Sequence, residues 1–158
     1  MAAIRSMSRL LINRSLQTTA KRTYADQMNF TFAAGNQVYY TATSVKQVDV
    51  PSFSGSFGIL PAHVPTLAVL KPGVVTVYED GGNVKKIFVS SGTVTINDDS
   101  SVQILAEEAH PVENIDVNAA RDILTKAQSQ LSSASTDEAK AEASIAVEVG
   151  EALVKAAE

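Results

Sequence analysis

The patterning of the chain changes once, at Asp116, and that change constrains the fold more tightly than any other feature. Before it, from about residue 28 to 112, short alternating or β-branched runs are parted by turn residues. Residues 29–32 alternate, Gly35-Asn36 turns the chain into 37–41, and 45–50 alternates again with Val48 and Val50 on one face. Residues 73–78 are β-branched and lead to Asp80-Gly81-Gly82-Asn83, a strong hairpin turn. Runs at 86–89, 93–96 and 102–105 follow, separated by Ser91-Gly92 and by the polar stretch 97–100. Strands recurring at roughly 8–12 residues predict a sandwich or a flattened barrel.

After Asp116 there is no proline, a single glycine (Gly150) and abundant alanine. Val117, Ala120, Leu124, Ala127, Leu131 and Ala134 form one heptad seam; Ala139, Ala143, Ala146, Gly150, Leu153 and Ala157 form another. The short polar turn between them predicts an antiparallel α-helical hairpin, with Asp116 and Thr136 as N-caps. The fold class expected is therefore α+β: a β-sandwich over 25–113, then a helical hairpin over 114–158. Seams built from Ala and Gly bring helices close but bury little area, so the hairpin is expected to persist only when docked.

Residues 55–72, G-S-F-G-I-L-P-A-H-V-P-T-L-A-V-L-K-P, are apolar and stiffened by Pro61, Pro65 and Pro72. Proline fixes φ and removes a donor, so this run cannot be one central strand. It predicts a strand, a rigid turn displaying a few side chains, and a second strand. His63 sits between two of the prolines, and two readings of it stand open: an imidazole satisfied within the turn, or a displayed contact residue.

Charge divides the chain differently. Residues 1–25 carry Arg5, Arg9, Arg14, Lys21 and Arg22 and no acid, whereas all seventeen acids fall at Asp26 or beyond. The longest apolar run there, Leu10-Leu11-Ile12, is too short for a secretory core or a membrane span. A mitochondrial transit peptide over 1–24 is expected, with Arg22-Thr23-Tyr24-Ala25 resembling a processing site and Ala25 the mature start. The acidic body makes nucleic acid a poor partner, since each phosphate contact needs Lys or Arg. Zero cysteines exclude disulfides, thiolate catalysis and zinc ribbons. No phosphate-binding glycine motif occurs. Glu107-x-x-His110 has metal-ligand spacing, but at a strand end before Pro111 the alternation turns Glu107 away from His110. No catalytic, cofactor or metal residue is therefore expected, and the chain reads as a shaped surface for partners.

The block at 56–67, S-F-G-I-L-P-A-H-V-P-T-L, followed by Lys71-Pro72-Gly73, resembles the signature of the delta/epsilon subunits of F-type ATP synthases, in the mitochondrial form. Phe88-Val89-Ser90-Ser91-Gly92 and Leu105-Ala106-Glu107-Glu108-Ala109 match at the expected later places. The resemblance implies about ten strands in the sandwich and a non-catalytic rotor subunit of the central stalk. Such a subunit couples proton-driven rotation of the c-ring, through gamma, to ATP synthesis in the catalytic head. It implies a peripheral place on the matrix side of the mitochondrial inner membrane, touching the membrane only through the c-ring. The implied partners are gamma on a sheet face, a small mitochondrial epsilon subunit at the hairpin, and the polar loops of the c-ring at the turn. Ser56, Phe57 and His63 are the contact residues it suggests, with Phe57 and Leu60 also anchoring the turn. One departure stands out. Some bacterial relatives carry an ATP-binding pattern Ile/Leu-Asp-x-x-Arg-Ala; here the arginine position of Ile115-Asp116-Val117-Asn118-Ala119-Ala120 holds Ala119, and no nucleotide site is expected. A free-standing β-sandwich module for a small ligand is the alternative, weakened by zero tryptophan and four tyrosines.

Overall fold

A computed structural model describes residues 28–158 of the chain. The expected transit peptide and the mature start at Ala25 lie outside the described residues. Nine strands come first: β1 (Met28–Ala34), β2 (Val38–Ser52), β3 (Gly55–Ile59), β4 (Thr66–Leu70), β5 (Gly73–Glu79), β6 (Val84–Val89), β7 (Gly92–Ile96), β8 (Val102–Ala106) and β9 (Ala109–Pro111). A single 3-10 turn, Val112–Asn114, leads into α1 (Val117–Ser133) and α2 (Asp137–Ala157).

The strands hydrogen-bond in the order β1-β8-β7-β4-β2-β5-β6-β9, with β3 beside β2 and β1 also paired to β2. This network folds over into two layers. One is β1-β8-β7-β4; the other is β3-β2-β5-β6-β9, and β2 runs through both. The separate runs expected at 37–41 and 45–50 are thus one fifteen-residue strand. No glycine or proline stops it between them. Ala42 takes a left-handed φ of 44° and the register shifts between Val45 and Gln47, so the chain bends instead of turning. Merging those runs leaves eight, and the three-residue β9 brings the described strands to nine, against about ten implied by the resemblance.

The core follows the alternation. Phe30, Phe32, Val48, Val50, Val75, Val77, Val89, Val94 and Ile104 are essentially inaccessible between the layers. Ile59 and Leu70 close it from the strands flanking the proline-rich turn. Phe30 packs against Phe32 and Tyr40 at ring separations of 6.1 and 5.2 Å. At the turn end of the β5–β6 hairpin, Lys85 Nζ lies 3.0 Å from Glu79 Oε1, which also accepts from the Tyr40 hydroxyl at 3.0 Å.

Lys85 and then Tyr40 hold the Glu79 carboxyl below its ordinary range, while burial, and then Glu79, push the Tyr40 hydroxyl up. A carboxylate with a depressed folded-state pKa stabilises the fold above its unfolded pKa, and that contribution vanishes as pH falls through the lower value. Glu79→Gln is therefore expected to flatten the acid limb of a Tm-versus-pH curve below about pH 4.5, where an ordinary glutamate begins to protonate. An unchanged acid limb in the variant would rule out that linkage.

The helices meet along the predicted seams. Ala120, Ala127, Ala143 and Gly150 are their buried residues, and Gly150 lies so near α1 that an added Cβ would sit 3.1 Å from Leu124 Cα. The Asp116 carboxylate accepts from the backbone N–H groups of Asn118 and Ala119, and the Thr136 hydroxyl from that of Ala139. The hairpin does not stand alone. Its second helix leans on β5 and on the 3-10 turn. Ile87 and Val89 point into the sandwich core, so Phe88 between them points out, yet Phe88 is only 4% exposed. Its cover comes from outside the sandwich: Phe88 shares a cleft with Ile115, Val149 and Leu153. That small apolar seat is how the thin hairpin stays attached.

Candidate partner-binding surface

Two exposed features of the sandwich stand out, the proline-rich turn and one sheet face. The turn is built as the prolines require. Leu60 C=O accepts from His63 N–H at 3.1 Å across Pro61 and Ala62, and Ala62 takes φ 62°. Proline second and a left-handed residue third make this a type II turn, with alanine where glycine is the usual occupant. The His63 ring sits 6.1 Å from that of Phe57, and its Nδ1 lies 2.8 Å from the Val64 carbonyl. That carbonyl also accepts from Thr66 Oγ1 at 2.9 Å. A carbonyl only accepts, so Nδ1 carries the proton and Nε2 is the nitrogen left to face outward.

The His63 ring is anchored within its own turn and half exposed. Phe57 is half-buried against the core and backs the imidazole, whereas Ser56 is exposed on β3. Leu60 differs from expectation. It is 55% exposed and anchors nothing, because Ile59 takes the inward position and the type II turn carries its neighbour out. With Val64 (72% exposed) it makes the turn's tip apolar.

The sheet face was not singled out from sequence. Across β4, β7, β8, β1 and β2 the register aligns Val69, Thr93, Leu105, Ala33 and Val38 in one row. Leu67, Thr95, Gln103 and Thr31 make the next row. Leu67, Val69, Leu105 and Val38 are each more than half exposed. Neither row contains a charge. A face of threonine, glutamine and aliphatic side chains on an acidic protein has the composition of an interface core. The signal in the sequence was Leu67-Ala68-Val69-Leu70, a continuous apolar run where a half-buried strand would alternate.

No group of three His, Cys, Asp or Glu side chains converges among the described residues. Glu107 and Glu108 lie in a bend between β8 and β9, their carbonyls accepting from Gly35 and Ser90, and His110 is exposed opposite Phe88 on β9. That bend, not strand alternation, is what parts Glu107 from His110.

A family model described as the ATP synthase delta/epsilon chain β-sandwich domain matches residues 27–112. The chain belongs to the ATP synthase delta/epsilon family. A second model, the C-terminal domain of the metazoan delta subunit of F1F0-ATP synthase, matches residues 115–156 of this family member. Mitochondrial ATP synthase subunit delta of Caenorhabditis elegans is 45% identical over 93% of this chain and 98% of its own length. The Saccharomyces cerevisiae subunit of the same name is 40% identical, covering 95% of this chain and 96% of the relative. Among solved structures, a chain of the Euglena gracilis mitochondrial ATP synthase OSCP/F1/c-ring complex superposes with a TM-score of 0.79 at 25% identity. It covers 89% of this chain and 88% of that one. In this delta/epsilon-family chain, Arg121 crosses to the C-terminal end of α2 and pairs with Glu158 at 2.8 Å, tying the base of the hairpin.

Proposed function

We propose that this chain holds gamma on the uncharged face of β4, β7, β8 and β1, and meets the c-ring through the turn between β3 and β4. As a delta/epsilon-family member it is a structural, non-catalytic subunit of the mitochondrial ATP synthase central stalk, on the matrix side of the inner membrane. No helix of the described residues is long and apolar enough to cross a membrane. Its task is to pass rotation from the ring to gamma, and through gamma to the catalytic head that makes ATP. The single observation behind the gamma assignment is the row Val69–Thr93–Leu105–Ala33–Val38, where aliphatic side chains stay in water with no charge among them. Burying such a face costs little polar desolvation and gains roughly 25 cal/mol per Å² of apolar area.

The c-ring contacts are Ser56 and His63, with Phe57 supporting the imidazole from behind. Nε2 offers a hydrogen-bonding atom to the polar loops of the ring, and the apolar tip at Leu60 and Val64 fills between them. The hairpin receives the small mitochondrial epsilon subunit. The division into a removable leader over 1–24, a sandwich over 25–113 and a hairpin over 114–158 belongs to the same proposal, and N-terminal sequencing of the mature chain tests its first boundary.

Leu67→Glu combined with Leu105→Glu is expected to leave the isolated chain folded, since both side chains are already in water. It should abolish co-purification with gamma from mitochondria extracted in mild detergent. Retention of the variant in the intact complex would refute the face assignment. His63→Ala separates the second contact from the first. It should preserve the fold and gamma binding and change only proton-coupled turnover. Loss of ATP hydrolysis in a detached catalytic head would show that His63 acts elsewhere.

A further inference from the structure

The hairpin does not fill the cleft that seats it. A half-open space of about 360 Å³ lies between the outer face of β6 and β9, the connector, and α2. Its walls are Phe88, Ile115, Val149 and Leu153, and Ser90, Glu108, His110 and Asn114 complete its lining. Clefts of this size, apolar with a few polar groups around them, are the usual form of small-molecule sites. The charges decide what kind. Glu108 is the lining's carboxylate, and neither lysine nor arginine lines it, so phosphates and carboxylates are disfavoured. A second cleft on the other flank of α2 balances Lys71 and Lys155 against Glu148 and Glu151 and has no aromatic side chain in its lining.

We infer that the Phe88 cleft is a binding site for small amphiphilic amines, with an apolar ring held by Ile115, Val149 and Leu153 over the nearly buried Phe88 and an ammonium directed to Glu108. Three separate parts of the chain line it: the sandwich, the connector and α2. An occupant touches all three and holds the hairpin to the sandwich, so the cleft is an effector site acting on the stiffness of the arm. This does not rest on the stalk assignment, because the site is complete within one chain.

The test is a titration of the ¹⁵N-labelled full chain with benzylamine, benzyl alcohol and benzoate at about pH 8. Benzylamine should shift the amide signals of Ser90, His110, Ile115, Val149 and Leu153 saturably. It should bind about tenfold more tightly than benzyl alcohol, with benzoate weakest, as a charge-assisted contact predicts. Glu108→Gln, an exposed substitution that leaves the fold alone, should make amine and alcohol equal while the same signals still move. Absence of saturable shifts at these residues would overturn the inference. So would equal binding of benzoate, shifts mapping elsewhere, or a Glu108→Gln variant that keeps the preference for the amine.

Discussion

Gly92→Ala is expected to cripple the sandwich, although it adds one methyl group to a residue that reads in the sequence as an ordinary turn glycine. A Cβ at this position would lie 2.4 Å from the Leu105 carbonyl oxygen and 2.8 Å from Ala106 Cα, both backbone atoms with nowhere to retreat. Gly92 is where the chain leaves β6 for β7 and changes layer. The stretch at Glu107-Glu108 makes the reverse change beside it, with Glu107 N–H donating to Ser91 C=O and Ser90 N–H to Glu108 C=O, each at 3.1 Å. Two corners cross at van der Waals distance, and only a residue without a side chain lets them pass. Separating them breaks the pairing of β7 with both β4 and β8. The cost falls among the severe single substitutions, about 4 kcal/mol, which for a domain of this size lowers Tm by roughly 15 °C. Gly81→Ala is the control: the nearest atom to its added Cβ is the flexible Asn83 amide at 3.8 Å, and it should melt within a few degrees of the parent. A Gly92→Ala chain that melts like the control would mean the corners have room to give.

Gly150→Leu should separate the hairpin from the sandwich in behaviour. Gly150 faces Leu124 so closely that even a methyl meets its Cα at 3.1 Å and its Cβ at 3.3 Å. Overpacking of this kind costs about 1–3 kcal/mol, a large share for a seam otherwise made of alanines. For Gly150→Ala the clash is opposed by a gain of about 1 kcal/mol in helix propensity, so alanine should be nearly neutral where leucine is not. The leucine variant is expected to lose helical ellipticity and hydrogen-exchange protection across 117–157, while amides of β1 to β8 keep theirs. Equal loss of protection in both domains would show that the hairpin supports the sandwich, contrary to its thin seat on Phe88.

The contrast between these glycines shows how much was legible beforehand. Gly150 announced itself as a seam position, because helix periodicity is local and needs no knowledge of the partner chain. Gly92 did not, since its reason lies in a second corner fifteen residues on. The same divide separates the strand runs, read nearly in place, from the continuity of β2. The sequence between 41 and 45 contains no breaker, but a bend at Ala42 is a tertiary compromise that no local signal marks. Leu60 was misplaced for a related reason: alternation stops at a type II turn, and the residue after Ile59 swings outward. Phe88 and the row on β4, β7 and β8 had a trace in the sequence, as apolar runs too continuous for one buried face. Ile87-Phe88-Val89 and Leu67-Ala68-Val69-Leu70 both place apolar side chains on the second side. Topology decides their fate: the hairpin lies over Phe88, while Leu67 and Val69 stay exposed.

Because β2 is hydrogen-bonded within both layers, neither can slide or rotate against the other without breaking bonds along a single continuous backbone. Under torsional load the sandwich is therefore a rigid block, and the compliant part of the molecule is the five-residue neck at 112–116. Strain imposed from outside will concentrate at that neck and leave the β layers undeformed.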